Sequence, residues 1–308
     1  MADAPQPVPV LVERRFPLKL SQEIPALRRL YDDSKTSRWD PRRDIPWDLM
    51  GVDALPPAVR AAAAATWRRR AWVEATALIE TPALVVRFCM ELGREAETRM
   101  FLTVRNTEEA WLIECCDGLA RAFASSGSPP PTRPGSDAYA GLFNRSAHRT
   151  IFDSRVPLDA LVAASCLFED GLERDLANAH RASTTHPVAA AVLERMAAAK
   201  TRHESFARIY LAHRAPGWSD ADRTAIADRL AAHVNEVELA GYHLPWLAAN
   251  AAATESAADA ATASVGLGAA APEVEAAVLR ASMGRTRSFL AELGVVVPGF
   301  AHSALGRF

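Results

Sequence analysis

Apolar residues recur along most of this chain at the three- and four-residue spacing of helices buried on one side. From Pro57 to about Leu92 the spacing is continuous except at Pro82, which removes a backbone hydrogen bond and predicts a kink. A second run goes from about Glu95 to Ala124, a third from Pro157 to about Ala182, and a fourth from Pro187 to about His213. Ser183-Thr184-Thr185-His186 joins the last two, with Thr185 the expected cap and Pro187 in the first turn. Ser125–Gly135 (SSGSPPPTRPG) is the clearest loop and separates one helix pair from the other. Two pairs of long helices joined by one long crossover predict an all-α four-helix bundle.

Accessory elements surround that bundle. Ser21–Lys35 has the pattern of a short amphipathic helix capped by Ser21. Ser219 with Asp222 predicts a capping box opening a helix that ends near Tyr242, and a last helix is expected over Pro272–Leu293. The plan is a single domain over 1–308, with a core bundle at about 57–214, an N-terminal arm over 1–55 and C-terminal helices over 219–293.

Composition narrows the function. With 35 basic and 37 acidic residues, a formal charge of −2, nothing favours nucleic acid or an anionic membrane as partner. No apolar run approaches the ~20 residues that span a bilayer. Cys89, Cys115, Cys116 and Cys166 form no C-x-x-C and follow no secretory leader, so reduced thiols and a cytoplasmic location are expected. Cys115-Cys116 reads as core packing.

Two helical segments each carry half of a Glu-x-x-His metal motif. Glu109 is followed three residues on by Leu112, and His203 is preceded three residues back by Lys200. Positions i and i+3 share a helix face, so an intact pair would aim a carboxylate and an imidazole at one metal. Elsewhere stand Trp39 with Ile45-Pro46-Trp47, Glu80 at 29 residues before Glu109, Glu169-Asp170-Gly171 on the third helix, and His186-Pro187 ahead of Arg202-His203-Glu204. In order and spacing these resemble the ferritin-like di-iron carboxylate superfamily, in its bacterial p-aminobenzoate N-oxygenase branch, over residues 30 to 215.

The resemblance implies six metal positions: Glu80; Glu109 and Leu112; Asp170, with Glu169 the alternative; and Lys200 and His203. It places Met196 where the N-oxygenase branch has an extra His. Leu112 supplies no donor, and Lys200 puts a cation where a metal would sit. Two like unit charges 4 Å apart repel by about 4 kcal/mol at an effective dielectric of 20. A degenerate metal site follows, with no cofactor at full di-iron occupancy and at most one iron or manganese, on Glu80, Glu109, Asp170 and His203.

The expected activity is that of a ferritin-like oxidoreductase of biosynthesis. Its substrate would be a small amine or aromatic molecule, or a group bound to a carrier protein. Lys200, with a depressed pKa, or His203 would act as base, with Glu109 among the catalytic groups. Trp72, Trp111, Leu112 and Phe206 would line the substrate pocket. An oxygenase with a reduced iron or manganese site and a non-catalytic scaffold are the alternatives. Leu290, Leu293, Val295–Val297 and Phe300 offer an apolar seam for a homodimer. His180 and His186 read as helix-end and loop residues. His233 with Glu236 imitates a metal pair on a helix outside the bundle.

Overall fold

Proline at the first helical position starts several of the helices, because its fixed φ suits that place and its missing N–H costs nothing there. The computed structural model describes residue 6 and residues 24–91, 95–124, 138–144 and 150–308. The Ser21 cap, the Ser125–Gly135 crossover and, apart from Gln6, residues 1–20 of the N-terminal arm lie outside the described residues. Helix α1 spans Pro25–Thr36, α2 Pro57–Met90 and α3 Ala96–Phe123. Helix α4 begins at Leu158–Val162, passes through a π-helical stretch, Ala163–Glu169, and continues over Asp170–Ala182. Helix α5 is Pro187–Arg214, α6 is Asp220–His233 with a π-helical end at Val234–Glu238, α7 is Ala253–Ser264 and α8 is Pro272–Glu292.

The fold is all-α, a ferritin-like bundle of α2, α3, α4 and α5. Each pair is antiparallel. Arg60 at the start of α2 donates to the carbonyls of Phe123 and Ala124 at the end of α3. Asp159 at the start of α4 accepts from Tyr210 on α5 at 2.6 Å and from Trp218 just beyond it at 2.8 Å. A two-stranded hairpin, β1 (Ala301–His302) and β2 (Gly306–Arg307), closes the chain.

Local chemistry departs from expectation in a few places. His186, not Thr185, caps α5: its Nδ1 accepts from the Ala189 N–H at 3.3 Å, and its Nε2 is 2.8 Å from the Met50 carbonyl. The Ser219–Asp222 capping box forms, and the helix it opens turns π-helical at Val234 and ends at Glu238, short of Tyr242. Leu290, Val295 and Phe300 are buried in their own chain, leaving Val296 as the exposed apolar residue of that tail, so the expected seam is mostly interior.

Helices α3 and α5 change character midway along their buried faces. On α3 Leu102 belongs to one apolar cluster and Leu112 to another, with Arg105, Glu108 and Glu109 buried between them. On α5 Met196 and Phe206 flank Lys200 and His203 in the same way. The bundle therefore has two apolar halves and a charged middle. Among the described residues no helix is long and apolar enough to cross a membrane.

A charged centre in the helical bundle

Lys200 is fully buried, and its ammonium faces three carboxylates. Glu74 Oε2 lies at 3.1 Å, Asp170 Oδ1 at 3.6 Å and Glu173 Oε2 in close contact. Burial alone would lower the lysine's pKa, but Glu173, Glu74 and Asp170 outweigh it and hold the pKa well above its ordinary value. Lys200 is thus held in its charged form, and the expectation of a depressed pKa is corrected. Burial, reinforced by Glu173 and Glu109 and opposed by Lys200, pushes the Glu74 carboxyl up to about 7.

A second cation lies across the same centre. Arg105, one turn before Glu109, stands 2.8 Å from Glu109 Oε1 through Nη1. Its other face bonds Asp170, from Nε at 3.0 Å and from Nη2 at 3.2 Å. Thr81 on α2 donates to Glu109 at 3.1 Å, which sets α2 and α3 in register. Despite burial, Arg105 and the His203 and Lys200 cations hold Asp170 well below the usual carboxylate range, whereas burial leaves Glu109 raised.

His203 joins this centre to an outer cavity. Its Nδ1 is 3.6 Å from Asp170 and its Nε2 is 2.9 Å from Glu108. Burial lowers the imidazole's pKa, but Asp170 and Glu108 overcome this and raise it. Glu108, also held by Arg202, is depressed in spite of its burial. Glu108 reaches a cavity of about 140 Å³ between α1 and α3, shared with Tyr31, Lys35, Arg38, Thr107 and Trp111. The cavity inside the bundle, beside Glu74 and Glu173, is only about 30 Å³. That is room for one or two waters.

A separate cluster lies on the far side of α4. Its π-helical stretch carries an extra residue per turn and lets two chain neighbours face opposite ways: Asp170 points to α3 and α5, and Glu169 points to α6. His233 Nε2 is 3.2 Å from Glu169 Oε2 and 3.2 Å from Glu238 Oε1. His243 bridges Glu238 (Nδ1, 2.7 Å) and Glu173 (Nε2, 2.9 Å). Burial disfavours its charge, yet Glu238 and Glu173 push its pKa up to about 10. Two sets of atoms here have the chemistry and closeness of metal ligands: Glu169 with Glu173 and His243, and Glu169 with His233 and Glu238.

The structure brings Lys200, His203, Glu109 and Asp170 together, and Asp170, not Glu169, is the acid that faces them. The α2 carboxylate in contact with Lys200 is Glu74. Glu80 is buried as well, within electrostatic reach of Cys166. The spacing to Glu109 suggested Glu80, because spacing along one helix does not reveal its rotation. The four expected lining residues do not share a cavity. Trp72 packs on Phe143, Trp111 lies edge-on to Trp39 beside the outer cavity, Leu112 sits in one apolar half and Phe206 stacks on Phe101 in the other. His180 is buried between Arg70 and Glu275. The partners of His233 are Glu169 and Glu238, while Glu236 is exposed.

No family model and no curated protein matches this chain. Solved structures do. An R2-like ligand-binding oxidase from Sulfolobus acidocaldarius aligns with a TM-score of 0.58 at 11% identity, over 91% of this chain and 95% of that one. An R2-like ligand-binding oxidase with an aerobically reconstituted Mn/Fe cofactor aligns with a TM-score of 0.56 at 14% identity, over 88% and 94%. At these identities the likeness reaches the fold: the chain is a ferritin-like helical bundle.

Proposed function

We propose that this protein is an enzyme of small-molecule biosynthesis, an oxidoreductase by descent, that works without a di-metal centre at the middle of its bundle. One observation carries the reading: Lys200 and Arg105 are in contact with the carboxylates that would have to hold the metals. The residues present do not fit a cofactor like the Mn/Fe group of the structural neighbours. Lys200 and the buried hydrocarbon of Leu112 stand in place of donors, Arg105 is bonded to Glu109 and Asp170, and a divalent ion added between the two cations would meet like charge.

The chemistry left to such a centre is proton transfer. His203 holds a proton against Glu108, and Glu108 opens on the outer cavity, so the pair can act as acid and base on a molecule bound there. Lys35 and Arg38 at the rim suit an anionic group, and Trp111 suits an aromatic ring. These features support an aromatic acid or amine, or an acyl group on a carrier protein, as substrate. Titration with p-aminobenzoate, read by tryptophan fluorescence, should saturate in the parent and weaken in Arg38→Ala. Elemental analysis after anaerobic iron loading should show no pair of metals dependent on Glu109 and Asp170. Two iron ions lost together in Glu109→Gln would overturn the reading.

A further inference from the structure

We infer that a single divalent transition-metal ion binds at the seam of α4 and α6, held by Glu169, His233 and Glu238. This goes beyond the function proposed above and does not depend on it. The three side chains come from the two π-helical stretches or the residue next to one: Glu169 ends the first, His233 precedes the second and Glu238 ends it. Such local widening of a helix turns side chains off their regular faces and is frequent at functional sites. All three are almost completely buried.

The distances speak for a metal more than for hydrogen bonds. One imidazole nitrogen, His233 Nε2, lies 3.2 Å from a carboxylate oxygen on each side. A nitrogen carrying one hydrogen can serve one of these acceptors well, and charge-assisted bonds of this type close to about 2.7–2.9 Å. Ligand atoms about 2.0–2.2 Å from a shared metal, at octahedral or tetrahedral angles, stand about 3.0–3.5 Å apart. The nitrogen thus stands at coordination spacing from each oxygen, and the three ligand atoms lie within 4.8 Å of one another. Mixed carboxylate and imidazole donors suit iron, manganese, cobalt or zinc better than magnesium or calcium.

The surroundings are built for the same task. His243 Nδ1 holds the second oxygen of Glu238 at 2.7 Å, and Glu173 in turn holds His243 Nε2 at 2.9 Å. A ligand carboxylate fixed from behind in this way is the usual outer shell of a metal site. The Phe168 ring stands edge-on to the His233 imidazole and limits its rotation. Lys200 touches Glu173 on the other side of α4, so Glu169, rather than Glu173, is the acid placed for the ion.

The test uses the whole chain, stripped with chelator and then loaded separately with Mn²⁺, with Co²⁺ and, without oxygen, with Fe²⁺. One equivalent should bind, and Co²⁺ should give visible d–d bands and an absorption fine structure with a single imidazole. His233→Gln and Glu238→Gln should lose binding, and His243→Gln should weaken it by about 10–100-fold, the usual cost of an outer-shell change. Glu109→Gln and His203→Gln should bind as the parent does. Metal should also raise the parent's melting temperature but not that of His233→Gln. No binding of any of the three ions, metal–metal scattering, or binding that survives in His233→Gln but fails in Glu109→Gln would each overturn the proposal. If the His233 variant does not fold, the imidazole count of the cobalt-loaded parent decides: none, or more than one, refutes it.

Discussion

Lys200 Nζ stands 3.1 Å from Glu74 Oε2 with both side chains sealed from solvent. Helix α5 thereby gives α2 a fixed positive charge at the level where the bundle's acids gather. Replacing Lys200 by Met would leave Glu74, Asp170 and Glu173 without it. Removing one partner of a buried pair typically costs about 3–5 kcal/mol. Urea unfolding at pH 7 should show a loss of that order, and a Met variant as stable as the parent would mean that the acids do not need the cation.

Glu74 also gives stability a pH dependence of known sign. Its carboxyl titrates near 7 in the fold, against an ordinary value of 4.5. The folded state therefore binds more protons than the unfolded chain between these values. The stability this residue contributes is complete below pH 4.5 and is lost as pH rises through 7. Glu74→Gln has no such titration, so the parent's melting temperature should fall relative to the variant's across that window. A constant difference between them would refute the assignment.

Restoring the two missing ligands should not by itself restore a metal centre. Lys200→Glu with Leu112→His supplies the absent donors but leaves Arg105 bonded to Glu109 and Asp170. Elemental analysis of that double variant should show well under two iron equivalents beyond the parent's content. Adding Arg105→Leu frees both acids, and the triple variant should gain about two equivalents over the parent, the content of a complete carboxylate site. Full loading of the double variant would show that Arg105 can swing away.

The helices were legible because they are long and periodic. The expected fourth helix, Pro187 to about His213, differs from the observed Pro187–Arg214 by one residue. The pairing of Lys200 with acids was also accessible, since i, i+3 spacing with His203 fixed its face. What could not be read was rotation and contact between helices. Glu74 and Glu80 both lie on the buried side of α2, and only the packed arrangement of α2 against α5 shows that Glu74 is the acid that meets Lys200. Arg105 had a signal, its i, i+4 spacing to Glu109, but a guanidinium there reads as an ordinary surface pair. The Glu169–His233–Glu238 cluster had only a misplaced signal, His233 with Glu236, because two π-helical stretches alter the spacing on which a helical motif depends.

His203 and Glu108 offer the most direct probe of the centre's charge. Burial lowers the His203 pKa, and the carboxylates of Asp170 and Glu108 more than offset it, leaving the pKa above the ordinary 6.5. The stability that comes from its proton is present below pH 6.5 and is lost as pH rises through the folded value. Glu108→Gln keeps a hydrogen-bond acceptor 2.9 Å from Nε2 but removes the charge. The imidazole's pKa, followed by NMR of isotopically labelled histidine, should then fall, because burial would be opposed mainly by Asp170. Arg202, which also binds Glu108, would lose its partner and carry part of the cost in stability. Gln should therefore lower both the His203 pKa and the stability below pH 6.5, with a smaller difference above the folded pKa. An unchanged His203 titration in a folded Glu108→Gln protein would show that Asp170 alone sets the proton's affinity, and would remove Glu108 from the acid–base pair.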